Sequence, residues 1–180
     1  MLFFTDAQSW DCKRIFLRWN QIEDLPNDFG GSKVVSSNLS KNPLSGHVPQ
    51  SFFHGLTYLQ VLDLSNTDMV SMPTSLSQLT CLEFLSLSRT HICDFLPAIC
   101  NLPRLQFLDL SFFYIRSLPP TICNLSRLQD FNLLGLENLV IPLQISDHFT
   151  EKATVAFRKF KAFKGSHTSN RSCSNYNAKH

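Results

Sequence analysis

The sequence of 180 residues lacks the short patterns that mark common catalytic and metal sites. No two of its six cysteines form a C-x-x-C pair, and its six histidines show no H-E-x-x-H or comparable ligand spacing. A G-x-S-x-G nucleophile elbow and a G-x-x-x-x-G-K-[ST] phosphate loop are also absent. We therefore expect a protein that is not an enzyme and that carries no cofactor and no metal ion.

Long apolar runs are also missing. No stretch approaches the roughly 20 apolar residues that a membrane helix needs. Leu2, Phe3 and Phe4 are followed at once by Thr5 and Asp6, so this run falls short of the roughly 7–15 apolar residues of a signal peptide. The sequence therefore predicts no membrane span and a cytoplasmic location.

Charge is scarce and unevenly distributed. The net charge is +2, but residues 149–180 carry seven Lys or Arg against Glu151 alone, a balance of +6 that leaves −4 for residues 1–148. A mildly acidic body is not typical of a nucleic-acid-binding protein. We therefore expect no nucleic-acid partner.

Residues 147–180 form a tail without the leucine pattern of the rest of the chain, and the end of this tail is rich in Ser and Asn. That composition predicts partial disorder. Ala156, Phe160 and Phe163 fall at i, i+4 and i+7 among basic residues, which is compatible with a short basic amphipathic helix. The other interpretation is a terminal segment without a selected role.

A repeat dominates the remaining sequence. The segments LQVLDLSNTDM, LEFLSLSRTHI and LQFLDLSFFYI begin at Leu59, Leu82 and Leu105, each 23 residues after the one before, and LQDFNLLGLEN begins another 23 on at Leu128. An L-x-x-L-x-L pattern with a fixed period of roughly 20–29 residues is typical of a leucine-rich-repeat solenoid. Two less regular repeats precede these four, so we expect six repeats, starting near residues 12, 34, 59, 82, 105 and 128.

The predicted fold is an α/β solenoid in which residues 12–146 form the repeat array and residues 1–11 an irregular lead-in. Each repeat should contribute a short parallel strand to the concave face and a 3₁₀ or short helical turn to the convex side, entered by a proline such as Pro73 or Pro119. The second repeat has Ser37 in place of an inward leucine, which predicts a loosely packed coil.

The ninth position of each repeat predicts how neighbouring coils are joined. An asparagine there can bond the backbone of adjacent coils through both its donor and its acceptor, whereas threonine does so in part and phenylalanine not at all. We expect this ladder to fail near Phe113, either by a local shift of the strands or by an uncapped end. The residues at this position, in chain order, are Asn20, Asn42, Thr67, Thr90, Phe113 and Leu136.

The side chains between the inward leucines are the candidates for function. Phe84 and Phe107 share one repeat position, Phe112 and Tyr114 extend the apolar strip, and exposed aromatic residues edged by charge are typical of protein interfaces. The alternative is that Phe84 and Phe107 only stack across strands and stabilise the sheet. The predicted protein-binding residues of the concave face are Arg14, Phe16, Arg18, Trp19, Phe84, Arg89, Phe107, Asp109, Phe112 and Tyr114.

Cysteines are spread through the repeats, and Cys100 and Cys123 recur at the repeat period in AICNLPRL and TICNLSRL. We interpret them as small buried apolar residues in a reducing compartment. A disulfide between adjacent coils and a zinc site are the alternatives.

Several phrases carry a family resemblance. The period of 23, the L-P-x-x-I-x-x-L-x-x-L return, LSLSRTHI, QLTCLEFL and GLENL make the segment from about Cys12 to Ile145 resemble the repeat domain of plant intracellular nucleotide-binding leucine-rich-repeat disease-resistance proteins of the coiled-coil type. The resemblance implies recognition of a pathogen effector or of a host protein altered by one. The family's nucleotide switch is not implied, because the phosphate loop is absent.

Two other interpretations stay open. A constitutive cytosolic scaffold similar to the plant Ras-group repeat proteins would share the L-P return. A fragment of an extracellular plant receptor would fit NPLSGHVP in the second repeat and the N-x-S/T sequons at Asn38, Asn124 and Asn170. In each case we expect a protein partner, with the chain acting as a monomer or as part of a larger receptor.

Overall fold

The computed structural model of the chain describes residues 11–27, 29–45, 48–92, 96–136, 139–141, 145 and 154–155. The lead-in up to residue 10 and the predicted tail helix lie outside these residues.

Seven short strands form one parallel sheet in chain order. The first six each begin two residues after a predicted repeat start, which confirms the predicted leucine-rich-repeat solenoid. The strands are β1 (Arg14–Phe16), β2 (Ser36–Asn38), β3 (Val61–Asp63), β4 (Phe84–Ser86), β5 (Phe107–Asp109), β6 (Asp130–Asn132) and β7 (Thr154–Val155).

Alternation along each strand separates the core from the concave surface. The middle residue of each of the first six strands is buried, because successive side chains of a strand point to opposite sides. Leu62, Leu85 and Leu108 are in register and inaccessible to solvent, and each contributes about 1.5–3 kcal/mol relative to exposure. The inward residues therefore specify the coil and are not available to a ligand.

Short helical turns form the convex side, as the proline-entered pattern predicts. Pro73 and Pro119 occupy the N-cap positions of their 3₁₀ turns in extended conformation, since proline has no N–H that would need a partner there. The turns are η1 (Phe52–Gly55), η2 (Thr74–Gln78), α1 (Leu96–Ile99) and η3 (Pro120–Asn124).

Ser37 is buried at the centre of β2. In the return segments of the first two coils three buried rings pack together, with the ring of Phe52 lying 5.5 Å from that of Phe29 and 5.1 Å from that of Phe53. The looseness of this coil stays a prediction.

The predicted asparagine ladder is present at Asn42. Its Oδ1 accepts hydrogen bonds from the backbone N–H groups of Asn20 (2.8 Å) and Ile22 (3.2 Å), and its Nδ2 donates to the carbonyls of Leu17 and Leu39. One buried amide thus joins the first two coils.

Threonine at the same position does not join the coils through its side chain, although a partial link was predicted. Thr67 and Thr90 donate only to the carbonyls of Leu64 and Leu87, three residues earlier in their own coils. At Phe113 the ring is buried, and β5 and β6 remain paired without a change of register. A shift of the strands at this point, which was one form of the expected failure, does not occur.

The sheet extends into residues 147–180. Thr154 and Val155 pair with Asp130 and Phe131 of β6, an offset of 24 residues and so about one repeat. The leucine pattern misses this strand, because residues 147–180 contain no L-x-x-L-x-L segment. As a consequence, β7 covers part of the edge that β6 would otherwise expose.

No helix among the described residues is both long enough and apolar enough to cross a membrane.

Candidate functional site

The concave face is formed by the outward residues of the strands and by the turns that follow them. All ten predicted binding residues belong to the part of the chain that the structure describes. Phe84, Phe107 and Asp109 are half-buried, and the other seven are exposed. The structure separates them into two groups, one on the first coil and one on the fourth and fifth coils.

Phe84 and Phe107 lie face to face on adjacent strands. Their ring centroids are 4.4 Å apart and their planes differ by 3°, since the two residues are direct partners in the register of β4 and β5. The stacking that was the alternative to recognition is therefore present, and it covers part of each ring. Recognition and stacking are not exclusive here, because both rings retain partial exposure.

Two further contacts join the same pair of coils. The guanidinium carbon of Arg89 lies 4.3 Å from the ring centroid of Phe112, and the rings of His91 and Tyr114 are 5.6 Å apart and tilted by only 15°. The members of each pair are again 23 residues apart. We call these six side chains the aromatic patch: Phe84, Arg89, His91, Phe107, Phe112 and Tyr114. His91 was not predicted, although it stands one period before Tyr114.

In the turn after each of the first six strands, the third residue beyond the strand has positive φ. This conformation costs residues other than glycine roughly 1–2 kcal/mol. In the first five of these turns the backbone N–H of that residue donates to a carbonyl of the next coil, for example from Arg89 to Ser111 at 3.1 Å and from Phe112 to Leu134 at 2.7 Å. These five turns therefore present their side chains to solvent at fixed positions. The residues, in chain order, are Trp19, Lys41, Asn66, Arg89, Phe112 and Gly135.

Asp109 has a structural role that the sequence interpretation missed. Its Oδ1 accepts a hydrogen bond from the backbone N–H of Ser111 at 2.9 Å, so the carboxylate caps the turn that leads to Phe112. Asp63 makes the same bond to Ser65. The recurrence of Asp or Asn at this strand end was the available signal. Asp109 therefore positions the turn that carries Phe112 and is not itself one of the six side chains of the aromatic patch.

Residues of the first two coils form a second group, which we call the basic–aromatic cluster: Arg14, Phe16, Arg18, Trp19 and Lys41. Lys41 Nζ lies 5.0 Å from the ring centroid of Trp19. Phe16 and Trp19 are 66% and 68% exposed. Since β1 and β4 are three strands apart, this cluster is separated from the aromatic patch by about 14 Å at ordinary strand spacing.

The cysteines that the structure describes form neither a disulfide nor part of a metal-binding group. In the part of the chain that the structure describes, the four cysteines are free thiols, so Cys100 and Cys123 form no disulfide. Burial raises the pKa of the Cys100 thiol, partly offset by a hydrogen bond with Thr121, and burial also raises the pKa of Cys123. Both thiols are thus protonated at neutral pH. Across the described ranges, no three His, Cys, Asp or Glu side chains are grouped closely enough to hold a metal ion.

The contribution of the Phe84–Phe107 stack to stability is measurable by a double-mutant cycle. We expect a coupling free energy of about 0.5–1.5 kcal/mol between Phe84→Ala and Phe107→Ala in urea unfolding, because stacked rings gain more than the area they bury. The pair Phe107→Ala and Arg14→Ala, on distant strands, serves as the control and should show no coupling. Additive effects for the two phenylalanines would contradict a stabilising stack.

Comparisons with known proteins agree with this geometry. Residues 33–92 match the family model described as leucine rich repeat, a span that holds the second and third repeats and the strand of the fourth. No curated protein is detectably similar in sequence. Among solved structures, an LRR protein of Leptospira interrogans is similar with 21% identity and a TM-score of 0.54. The similarity covers 72% of this chain and 41% of that chain, so this chain spans less than half of the Leptospira protein's length. The fold of this chain is a leucine-rich-repeat solenoid.

Proposed function

We propose that this chain is a protein-recognition module that binds a protein partner on its concave face, with the aromatic patch as the central contact. The observation that carries the proposal is the set of three contacts between the fourth and fifth coils. They order the patch while leaving Tyr114 71% and Phe112 42% exposed. Ordered aromatic and arginine side chains are the groups that dominate binding energy at protein interfaces.

Pre-organisation supports the same proposal. A side chain that is already held by a neighbouring ring loses less rotational freedom when a partner binds, and that loss is typically about 0.5–1.5 kcal/mol for each side chain immobilised. Two features restrict the side chains of Phe112 and Arg89. They contact each other, and each lies in a turn whose backbone N–H is hydrogen-bonded to the next coil. The patch is therefore ready to bind without rearrangement.

The proposal also names the kind of protein partner and where the partner is met. The resemblance to plant disease-resistance proteins supports a partner that is a pathogen effector or a host protein altered by one, met in the cytoplasm. Leucine-rich-repeat solenoids present extended concave surfaces of the kind that suits such a partner. Any nucleotide-dependent signalling would come from another domain or another chain.

Removal of the exposed patch side chains tests the proposal. Tyr114→Ala combined with Arg89→Ala is expected to weaken capture of a partner from infected plant tissue by at least about tenfold, since each hot-spot side chain contributes about 2 kcal/mol. The matched control is Tyr58→Ala with Val140→Ala, which removes two side chains of similar exposure (63% and 66%) outside the patch. Circular dichroism should be unchanged in both variants. Full capture by the patch variant would refute the proposed contact.

The same experiment separates the alternatives. A constitutive scaffold would capture the same partner equally from healthy and infected tissue, whereas an effector sensor would capture it only after infection. A shift in gel mobility after endoglycosidase treatment of the natural protein would favour the extracellular fragment. The exposed sequon at Asn124 is the first position to examine for a glycan.

A further inference from the structure

The basic–aromatic cluster contains cations that form no ion pair with any acidic residue that the structure describes. Arg14, Arg18 and Lys41 are exposed. Among the described residues the one ion pair joins Lys33 to Asp11, with its atoms 2.6 Å apart, and none of the three cations of the cluster takes part in it. Three positive charges therefore face solvent on the first two coils.

Exposed rings accompany these charges. Phe16 and Trp19 are two of the most exposed large apolar side chains in the described structure, and Trp19 is held in a turn with φ of 60°. Lys41 stands over one face of the indole ring, which fixes the ring without burying it. The cluster thus combines apolar area with positive charge.

The opposite sign prevails on the later coils of the same face. Asp63, Asp109 and Asp130 are outward residues of β3, β5 and β6, and Arg89 is the one cation among the turn residues there. A ligand lying along the concave face therefore meets positive charge at the first two coils and mainly negative charge beyond them. This asymmetry selects the orientation of a charged partner.

We propose that the basic–aromatic cluster binds an acidic peptide segment of the partner, with carboxylates on Arg14, Arg18 and Lys41 and an apolar side chain beside Trp19 and Phe16. The inference rests on the proposed function and names the chemistry of a second contact on the same face. A long polyanion such as RNA is disfavoured, because beyond the first two coils it would meet Asp63, Asp109 and Asp130, whereas a short acidic segment can stay on the cluster.

Fluorescence of Trp19 provides a direct test. In a full-length Trp10→Phe background Trp19 is the remaining tryptophan of the chain, and it is exposed. The probe is the synthetic peptide Glu-Glu-Leu-Phe-Glu-Glu, and its uncharged counterpart is Gln-Gln-Leu-Phe-Gln-Gln. We expect a blue shift of the emission with the acidic peptide, an affinity that falls as salt is raised, and binding of the glutamine peptide weaker by about tenfold.

Charge reversal identifies the residues. Arg14→Glu with Arg18→Glu is expected to weaken binding of the acidic peptide by at least about tenfold. Arg104→Glu with Arg127→Glu changes the net charge equally in the turns before β5 and β6, and should leave the affinity unchanged. Equal losses in both variants would reduce the effect to net charge and overturn the proposed site. Tighter binding of oligouridylate than of the acidic peptide would also overturn it.

Failure of the proposed peptide site can be distinguished from failure of the proposed function, because peptide binding and partner capture are measured separately. Tyr114→Ala with Arg89→Ala is expected to retain binding of the acidic peptide, because these side chains belong to the other group. Loss of partner capture with peptide binding intact supports both proposals. Intact partner capture with peptide binding intact refutes the aromatic patch and not the cluster.

Discussion

Replacement of Gly55 by alanine is expected to lower the free energy of unfolding by about 3 kcal/mol, a large effect for one methyl group. Gly55 ends η1, where the chain passes against the return of the first coil. A Cβ at this position would overlap the carbonyl oxygen of Phe29 and would lie 3.1 Å from its carbonyl carbon. The obstacle is backbone, so no side-chain rotation can relieve it.

Neither segment is free to withdraw. The carbonyl of Phe29 also accepts the N–H of Gly31 at 2.7 Å, and its ring packs on Phe52. Ser51, just before η1, donates its hydroxyl to the carbonyl of Asn27. Separation of the two segments would break these contacts together, which is why the expected loss is large.

Gly135→Ala is the matched control, and urea unfolding followed by circular dichroism is the measurement. Gly135 has φ of 79°, and a Cβ there would approach the ring of Phe112 at 2.5 Å. That ring is exposed and can turn aside, so we expect a loss of about 1 kcal/mol, mostly from the backbone conformation. A smaller loss for Gly55→Ala than for Gly135→Ala would show that the two backbones are not in close contact.

Asn42→Leu is expected to destabilise the chain by about 3–4 kcal/mol, because it leaves several buried backbone groups without partners at roughly 1–3 kcal/mol each. The side chain of Asn42 is 1% exposed. Leucine has similar size but neither accepts from Asn20 and Ile22 nor donates to Leu17 and Leu39. The loss should concentrate in the first coil, since each coil of a solenoid contacts only its neighbours.

Thr67→Val provides the comparison at the same repeat position. It removes one hydrogen bond within a coil, to the carbonyl of Leu64, and should cost about 1 kcal/mol. Hydrogen exchange measures the local effect. In Asn42→Leu the amides of Asn20 and Ile22 should exchange much faster than in the wild type, while those of β4 and β5 keep their protection. Unchanged protection at Ile22 would contradict the role of Asn42 as the link between coils.

Much of the fold follows from the sequence because the signal is periodic. Inward residues such as Leu62 and Leu85 recur every 23 positions, and burial of that column fixes the strand, its direction and its register together. Asn42 was predictable for a related reason, since few side chains can both donate and accept at a buried turn. β7 was missed because its segment carries no leucines.

The candidate site was less predictable, because it depends on local backbone geometry. Glycine and asparagine are the residues expected at positive φ, so Gly135 and Asn66 signal the turn, whereas Trp19, Arg89 and Phe112 do not. The contacts of these side chains with the next coil need both that backbone conformation and a cation–ring pair one period apart. The sequence shows that an acidic or amide residue recurs at the strand end occupied by Asp109. Its role as a cap becomes clear only from the turn, where its carboxylate accepts the N–H of Ser111.

Because the strands pair in sequence order without a break, the number of strands between two surface groups gives the distance between those groups. β1 and β4 are separated by three strand spacings, or about 14 Å. A helix covers this distance in roughly ten residues at about 1.5 Å per residue, and an extended chain covers it in about four residues. A single short element of a partner is therefore long enough to reach both the basic–aromatic cluster and the aromatic patch. Two weak contacts on one such element would bind with avidity, because the second forms at the high effective concentration set by the first.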